Sequence, residues 1–158
     1  MTQDPSLLPY RPCAGIMLLN AQGKVFVAKR IDTDVEAWQM PQGGIDAGET
    51  PRNAAFREME EEIGSKNAII IDQNDDWLFY DLPPHLIGKV WNGKYRGQKM
   101  KWFVFKFQGQ DSEINIATEH PEFCEWQWID MKELVNSIID FKRPLYSKLV
   151  QRFGHLAG

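Results

Sequence analysis

The chain predicts an α/β fold of the mixed, α+β kind, and three features carry that prediction. β-rich runs open it, one well-capped helix stands between strands, and a second helical stretch closes it. Residues 13–19 (CAGIMLL) and 24–29 (KVFVAK) read as the strands of a hairpin around Asn20-Ala21-Gln22-Gly23. Trp38-Gln39-Met40 is a short third run, stopped by Pro41 and followed by Gly43-Gly44. Thr50 before Pro51 is a helix start: a hydroxyl can cap the first turn, and proline is tolerated at the first helical position. The helix is expected to reach about Ile63, with Gly64 as its stop. Ala55, Met59 and Ile63 recur at i, i+4 and i+8, an apolar stripe for a sheet to cover.

Residues 68–71 and 77–80 follow as strands, then the alternating run 99–107 (KMKWFVFKF), and 125–129 (EWQWI) is the last strand. Residues 131–139 and 144–153 are expected as closing helices. Between strands, residues 81–98 hold Pro83-Pro84, Gly88, Gly93 and Gly97 and read as a long irregular loop, of the kind that is functional or mobile. Trp126 and Trp128 are expected on opposite faces of their strand, which leaves at least one for the core.

At 158 residues the chain is expected to be one domain, 1–158, with no repeat, linker or low-complexity segment. Its 43% hydrophobic and 25% charged residues exclude a disordered chain. No apolar run approaches the ~18 residues of a membrane helix. The N-terminal MTQDPSLLPYRP lacks the basic-then-apolar pattern of a signal peptide. Cys13 and Cys124 have no metal-ligand spacing, so a cytoplasmic protein with reduced thiols is expected. No membrane association is expected, and no required protein partner is readable. Eighteen basic residues against twenty-two acidic ones, a net charge of −4, argue against coating nucleic acid at large. Binding one end of a nucleic acid through metal ions stays open.

The chemistry concentrates in GGIDAGETPRNAAFREMEEEIG, residues 43–64. On a helix, Glu58, Glu61 and Glu62 are related by i, i+3 and i+4, so their carboxylates share a face. Like charges at that spacing destabilise a bare helix, and they lie toward the end where the helix dipole disfavours them. Two readings stand on this helix alone. One is a site for a hard, oxygen-seeking ion such as Mg²⁺ or Mn²⁺. The other is a solvated acidic face with Arg57 and Arg52 as partners.

The wider spacing separates them. Gly43, five residues, Glu49, seven residues, then Arg57-Glu58-Met59-Glu60-Glu61-Glu62-Ile63-Gly64 matches the Nudix box, G-x5-E-x7-R-E-U-x-E-E-x-G-U, over residues 43–65. The one departure is Ser65, at a packing position. The chain therefore resembles the Nudix hydrolases. That resemblance implies a metal-dependent hydrolase of nucleoside diphosphates linked to another moiety, built as an α/β/α sandwich with a mixed sheet between helices. It implies that Glu58, Glu61 and Glu62 hold the metal, with the Gly43 carbonyl as a further ligand. Arg57 would orient carboxylates together with Glu49, and Gly44 and Gly64 would be structural.

Tyr10-Arg11-Pro12, Trp38-Gln39-Met40-Pro41-Gln42-Gly43-Gly44, Gly97-Gln98-Lys99, Lys101-Trp102-Phe103, Pro121-Glu122-Phe123 and Phe141-Lys142-Arg143 extend the resemblance. They are similar to the bacterial RNA pyrophosphohydrolases and the diadenosine tetraphosphate hydrolases of that family. Met100 departs from the glutamine frequent in the RNA enzymes. By this likeness Arg11, Arg30, Lys99 and Lys142 would grip phosphates. Phe141 would stack on a base, with Tyr80 a second candidate. Glu122 joins the metal and proton-transfer candidates, and either Glu61 or Glu122 could take the proton of the attacking water.

The implied activity is removal of pyrophosphate from 5′-triphosphorylated RNA, leaving a 5′-monophosphate and so promoting mRNA decay. The alternative within the enzyme class is asymmetric cleavage of diadenosine tetraphosphate, a dinucleoside polyphosphate, to ATP and AMP. Outside it stands a nucleotide-sensing module without turnover, against which the intact Glu58, Glu61 and Glu62 count.

Overall fold

A computed structural model describes residues 7–32, 36–119 and 121–157. The first six residues of the N-terminal stretch discussed above lie outside them. Strand β1 (Tyr10–Leu19) turns through Asn20, whose Oδ1 accepts the Gln22 and Lys24 N–H groups at 3.0 and 2.9 Å, into β2 (Val25–Arg30). The expected hairpin is there. The run Trp38-Gln39-Met40 is not a strand, however. It makes one antiparallel bridge, Ala28 to Gln39, before proline removes a donor. The third strand is β3 (Gln42–Gly44), paired with Cys13, Ala14 and Gly15 of β1.

Helix α1 (Pro51–Ile63) starts and stops as its sequence dictates. Thr50 Oγ1 accepts the Asn53 N–H at 3.1 Å. Gly64, at φ 74°, closes the helix by donating its N–H to the Glu60 carbonyl at 3.0 Å. The two expected strands that follow are one long strand, β4 (Ala68–Asp81), with register shifts at Ile70/Asp72 and Asn74/Leu78. The polar run Asn74-Asp75-Asp76 is the bulged stretch, not a gap between strands. β5 (Gly97–Phe107) pairs antiparallel with β4 and parallel with β1. Asp81 and Gly97-Gln98 are therefore strand ends, and the irregular loop is 82–96.

β6 (Phe123–Ile129) pairs with β2. Trp126 and Trp128 lie together, 5.9 Å apart, and both rings meet Phe26. The expectation of opposite faces fails because a strand repeats every two residues, so positions two apart share a face. The first closing helix is shorter than expected. A 3-10 turn at Met131–Glu133 leads into α2 (Leu134–Ser137), and Ile138 is already extended. The Ser137 carbonyl accepts the Trp38 N–H at 2.8 Å, and a 3-10 turn Asp140–Lys142 then runs into α3 (Arg143–Phe153).

The strand order is β4-β5-β1-β2-β6, with β3 beside β1. Side-chain alternation sends Ala14, Ile16, Phe26, Phe103 and Phe105 to one face, where Ala55, Met59 and Ile63 of α1 cover them. It sends Cys13, Met17, Val27, Met100 and Trp102 to the other face, against Tyr146, Leu149 and Phe153 of α3. Each fully buried large side chain of these layers contributes about 1.5–3 kcal/mol. Among the described residues no helix is long and apolar enough to cross a membrane.

Candidate active site

Five strand ends and one helix converge at one end of the sheet. β1 brings Arg11, β2 brings Arg30, β3 brings Gln42, Gly43 and Gly44, β4 brings Tyr80, and β5 brings Gln98. Helix α1 turns its carboxylates to the same place, as does Glu122 just before β6. The result is a polar cavity of about 240 Å³ with two unlike walls. Glu58, Glu62 and Glu122 line one side of its chemistry; Arg11, Arg30 and Lys142 supply the other.

The acidic wall is poised against its own charge. Glu62 is buried, and its Oε2 has no hydrogen-bond partner. Burial, then the nearby Glu58 and Glu122 charges, push its carboxyl well above the usual carboxylate range. Glu58 is raised for the same first reason, partly offset by Arg57. Gly43 lets the backbone come this close, because a Cβ there would overlap the Glu58 carboxylate. Glu58, Glu61 and Glu62 also line an adjoining cavity of about 290 Å³ with Thr118, Glu119 and Glu122.

Arg57 organises this wall from behind. It donates to Glu49, to Glu58 Oε1 at 2.8 Å, to Glu61 Oε2 at 3.2 Å and to the Gly44 carbonyl at 2.8 Å. Among the described residues no three acidic groups form a closed metal cluster, since Glu58 and Glu61 are turned to Arg57. The donor set still fits a hard divalent cation. Carboxylate oxygens dominate it, one of them buried without a partner, around a glycine with room for no side chain.

On the cationic wall, Lys142 is buried, meets no carboxylate among the described residues and lies 5.3 Å from the Tyr80 ring centroid. Burial, with Arg30 adding repulsion, pushes its amine down to about 8. Arg30 is held by Asp32, Nε to Oδ1 at 2.8 Å. Arg11 lies 5.6 Å from the Trp91 ring centroid and reaches Cys13 Sγ at 3.3 Å. Tyr80 is only 7% exposed, and its hydroxyl donates to Gln98 Oε1, so little of its ring is open to a ligand.

Phe141 lines a second, apolar cavity of about 570 Å³ beside the polar one, with Tyr80, Leu82, Trp91 and Ile139. Lys99 does not join. Its strand neighbour Gln98 faces the polar cavity, so Lys99 points to the other face, 4.7 Å from the Trp77 ring centroid. Three participants were not among the site residues expected from the sequence, although Gln42 and Gln98 stand inside the matched motifs. Gln42 and Gln98 bond to each other at 2.8 Å at the cavity, and Trp91 enters it from the loop. The glutamines are neutral, so it is the pairing register that shows they face the cavity, and Trp91 reaches it by the path of a loop that has no period.

The chain is similar to known proteins over nearly its whole length. A family model described as NUDIX domain matches residues 9–153. An RNA pyrophosphohydrolase of Rhodospirillum rubrum is 56% identical over 162 residues, covering 100% of this chain and 96% of that protein. One of Sphingopyxis alaskensis is 54% identical over 155 residues, covering 97% and 98%. Among solved structures, the E. coli dihydroneopterin triphosphate pyrophosphohydrolase aligns with TM-score 0.67 at 18% identity, over 91% of this chain and 99% of that one. A C. elegans Ap4A hydrolase binary complex aligns with TM-score 0.64 at 19% identity, over 90% and 98%. At those identities the two structures speak for the fold alone. The box over residues 43–65, the sandwich and the family match coincide: this chain belongs to the NUDIX domain family.

Proposed function

We propose that the chain is a metal-dependent RNA 5′ pyrophosphohydrolase, working as a single cytoplasmic domain. The observation that carries this reading is the pairing of carboxylates with Arg11, Arg30 and Lys142 around one phosphate-sized cavity. The relatives named RNA pyrophosphohydrolase, similar over nearly the whole chain, direct it to a triphosphorylated RNA end. The free thiols of Cys13 and Cys124 are consistent with a reducing compartment.

Glu58, Glu61, Glu62, Glu122 and the Gly43 carbonyl would hold Mg²⁺ or Mn²⁺, after Glu58 and Glu61 turn from Arg57. Such an ion, when bound, screens the phosphate charge and makes water more acidic. Arg11, Arg30 and Lys142 bind the phosphate oxygens and hold the α–β anhydride in place. Water adds to phosphorus, the anhydride P–O bond breaks, and pyrophosphate leaves with its oxygen. Glu61 or Glu122 takes the proton that water gives up. The RNA keeps one phosphate.

A comparison of kcat/KM for 5′-triphosphorylated RNA and diadenosine tetraphosphate, under one Mg²⁺ concentration, tests this. The RNA should be preferred. Preference for diadenosine tetraphosphate would instead make the chain a dinucleoside polyphosphate hydrolase, and cleavage of neither would leave a binding module.

A further inference from the structure

Trp91 sits in a backbone conformation that its side chain disfavours. The turn Val90-Trp91-Asn92-Gly93 closes when the Gly93 N–H donates to the Val90 carbonyl at 3.0 Å. Both central residues have positive φ, 50° for Trp91 and 56° for Asn92. Asparagine and glycine take that conformation readily, whereas a bulky residue there is an outlier. Such strain persists only where the surroundings fix it, and it gathers at ligand sites.

The surroundings here are functional ones. The Arg11 guanidinium lies 5.6 Å from the Trp91 ring centroid, and the Tyr95 ring meets Trp91 edge-on at 6.1 Å. Of the loop 82–96, Trp91 alone lines both cavities: the polar one with Arg11, and the apolar one with Phe141 and Leu82. One ring therefore joins the phosphate grip to an aromatic pocket wide enough for a nucleobase.

We propose that Trp91 determines specificity for nucleotide-bearing polyphosphates by forming, with Phe141, the aromatic walls that take a base of the substrate. This rests on the reading above that Arg11 and Lys142 hold the phosphates of the same substrate. A flat ring stacks on any base, so Trp91 separates substrates with a base from bare polyphosphates and leaves the four bases nearly equal. The Arg11 contact strengthens the arrangement, because a cation over one ring face fixes the plane of the other.

The test uses the full chain with two probes that cannot be cleaved at the bridging position: α,β-methylene-GTP, and methylenediphosphonate, which has no base. Calorimetry should show Trp91→Leu binding the GTP analogue roughly 5- to 150-fold more weakly, the range that loss of one base stack gives. Binding of methylenediphosphonate should be unchanged, and Trp91→Phe should restore most of the loss. With 5′-triphosphorylated RNA the defect should fall on KM rather than kcat. Asn92→Gly, which relaxes the turn without touching either cavity, should bind both probes like the parent. Equal binding of the GTP analogue by the parent and Trp91→Leu overturns the proposal. So does equal weakening toward both probes with a lowered Tm, which would make Trp91 packing. A parent that binds methylenediphosphonate but gains nothing from the base overturns the base pocket itself. Diadenosine tetraphosphate as the preferred substrate would revise the proposed function while leaving this result interpretable, since it also carries a base.

Discussion

Arg57 holds Glu49 through two parallel hydrogen bonds, Nε to Oε2 at 2.8 Å and Nη2 to Oε1 at 2.9 Å. The pair spans the turn before helix α1 and ties it to the middle of the helix. Because Glu49 also accepts the Asp46 N–H, its carboxylate is held on two sides. The same guanidinium reaches Glu58, Glu61 and the Gly44 carbonyl, so one side chain sets the position of the acidic wall.

That pair predicts a pH dependence. The Arg57 guanidinium and the Asp46 N–H hold the Glu49 carboxyl at about 2, against an ordinary 4.5. A carboxyl depressed by folding stabilises the fold above its unfolded value and loses that contribution as pH falls toward the folded one. The Tm difference between the parent and Glu49→Gln should be constant above about pH 5 and shrink between pH 4.5 and 2. A difference that stays level down to pH 3 would show that the pair contributes through packing instead.

Glu62→Gln should nearly abolish turnover while leaving the metal-free fold as stable or firmer. The carboxyl is raised by burial and by Glu58 and Glu122, so its charge opposes folding above the unfolded value. The amide's advantage in Tm should grow as pH rises above 4.5 and narrow as pH falls toward it. Mg²⁺ should raise the parent's Tm by binding only the native state, and raise that of the variant less. Full activity at saturating Mg²⁺ would remove Glu62 from the ligand set.

Lys142→Met trades grip for stability. With the buried amine at about 8 against an ordinary 10.5, folding costs free energy while the amine is charged, fully so below pH 8. The variant should melt higher at pH 7, and the gap should close as pH rises from 8 to 10.5. Its kcat/KM should fall roughly 10- to 100-fold, the loss expected for a charged hydrogen bond. Unchanged kinetics would place Lys142 outside the substrate contacts.

Phe141→Ala separates recognition from chemistry. A lost stack costs about 1–3 kcal/mol of binding, so KM for RNA should rise with kcat nearly unchanged. Inorganic tripolyphosphate, which has no base, should be cleaved as by the parent. A lowered Tm with equal damage to both substrates would make Phe141 a packing residue.

What the sequence made legible follows from how local each signal is. Thr50, Pro51 and Gly64 bound α1 through contacts within one turn, so they were readable from the chain alone. Glu58, Glu61, Glu62 and Arg57 were readable because fixed offsets on one helix fix their faces. The shift of the third strand from Trp38-Gln39-Met40 to Gln42–Gly44 depends on pairing with distant Cys13–Gly15, which no local pattern encodes. The continuity of β4 through Asn74-Asp75-Asp76 depends in the same way on its partner β5. Lys99 shows how little separates a site residue from a surface one: a single step along the strand exchanges it with Gln98. Trp91 was hidden because its importance lies in a backbone angle and in the two cavities it joins.

The fate of the RNA end itself decides whether this chain is an RNA 5′ pyrophosphohydrolase. Homogeneous 5′-triphosphorylated RNA is incubated with the full chain and Mg²⁺, and both the released phosphate species and the remaining 5′ end are identified. Pyrophosphate and a 5′-monophosphate should form in equal amounts, and EDTA or Glu62→Gln should abolish the reaction. An intact triphosphate under both Mg²⁺ and Mn²⁺, or turnover that survives EDTA, would contradict that activity.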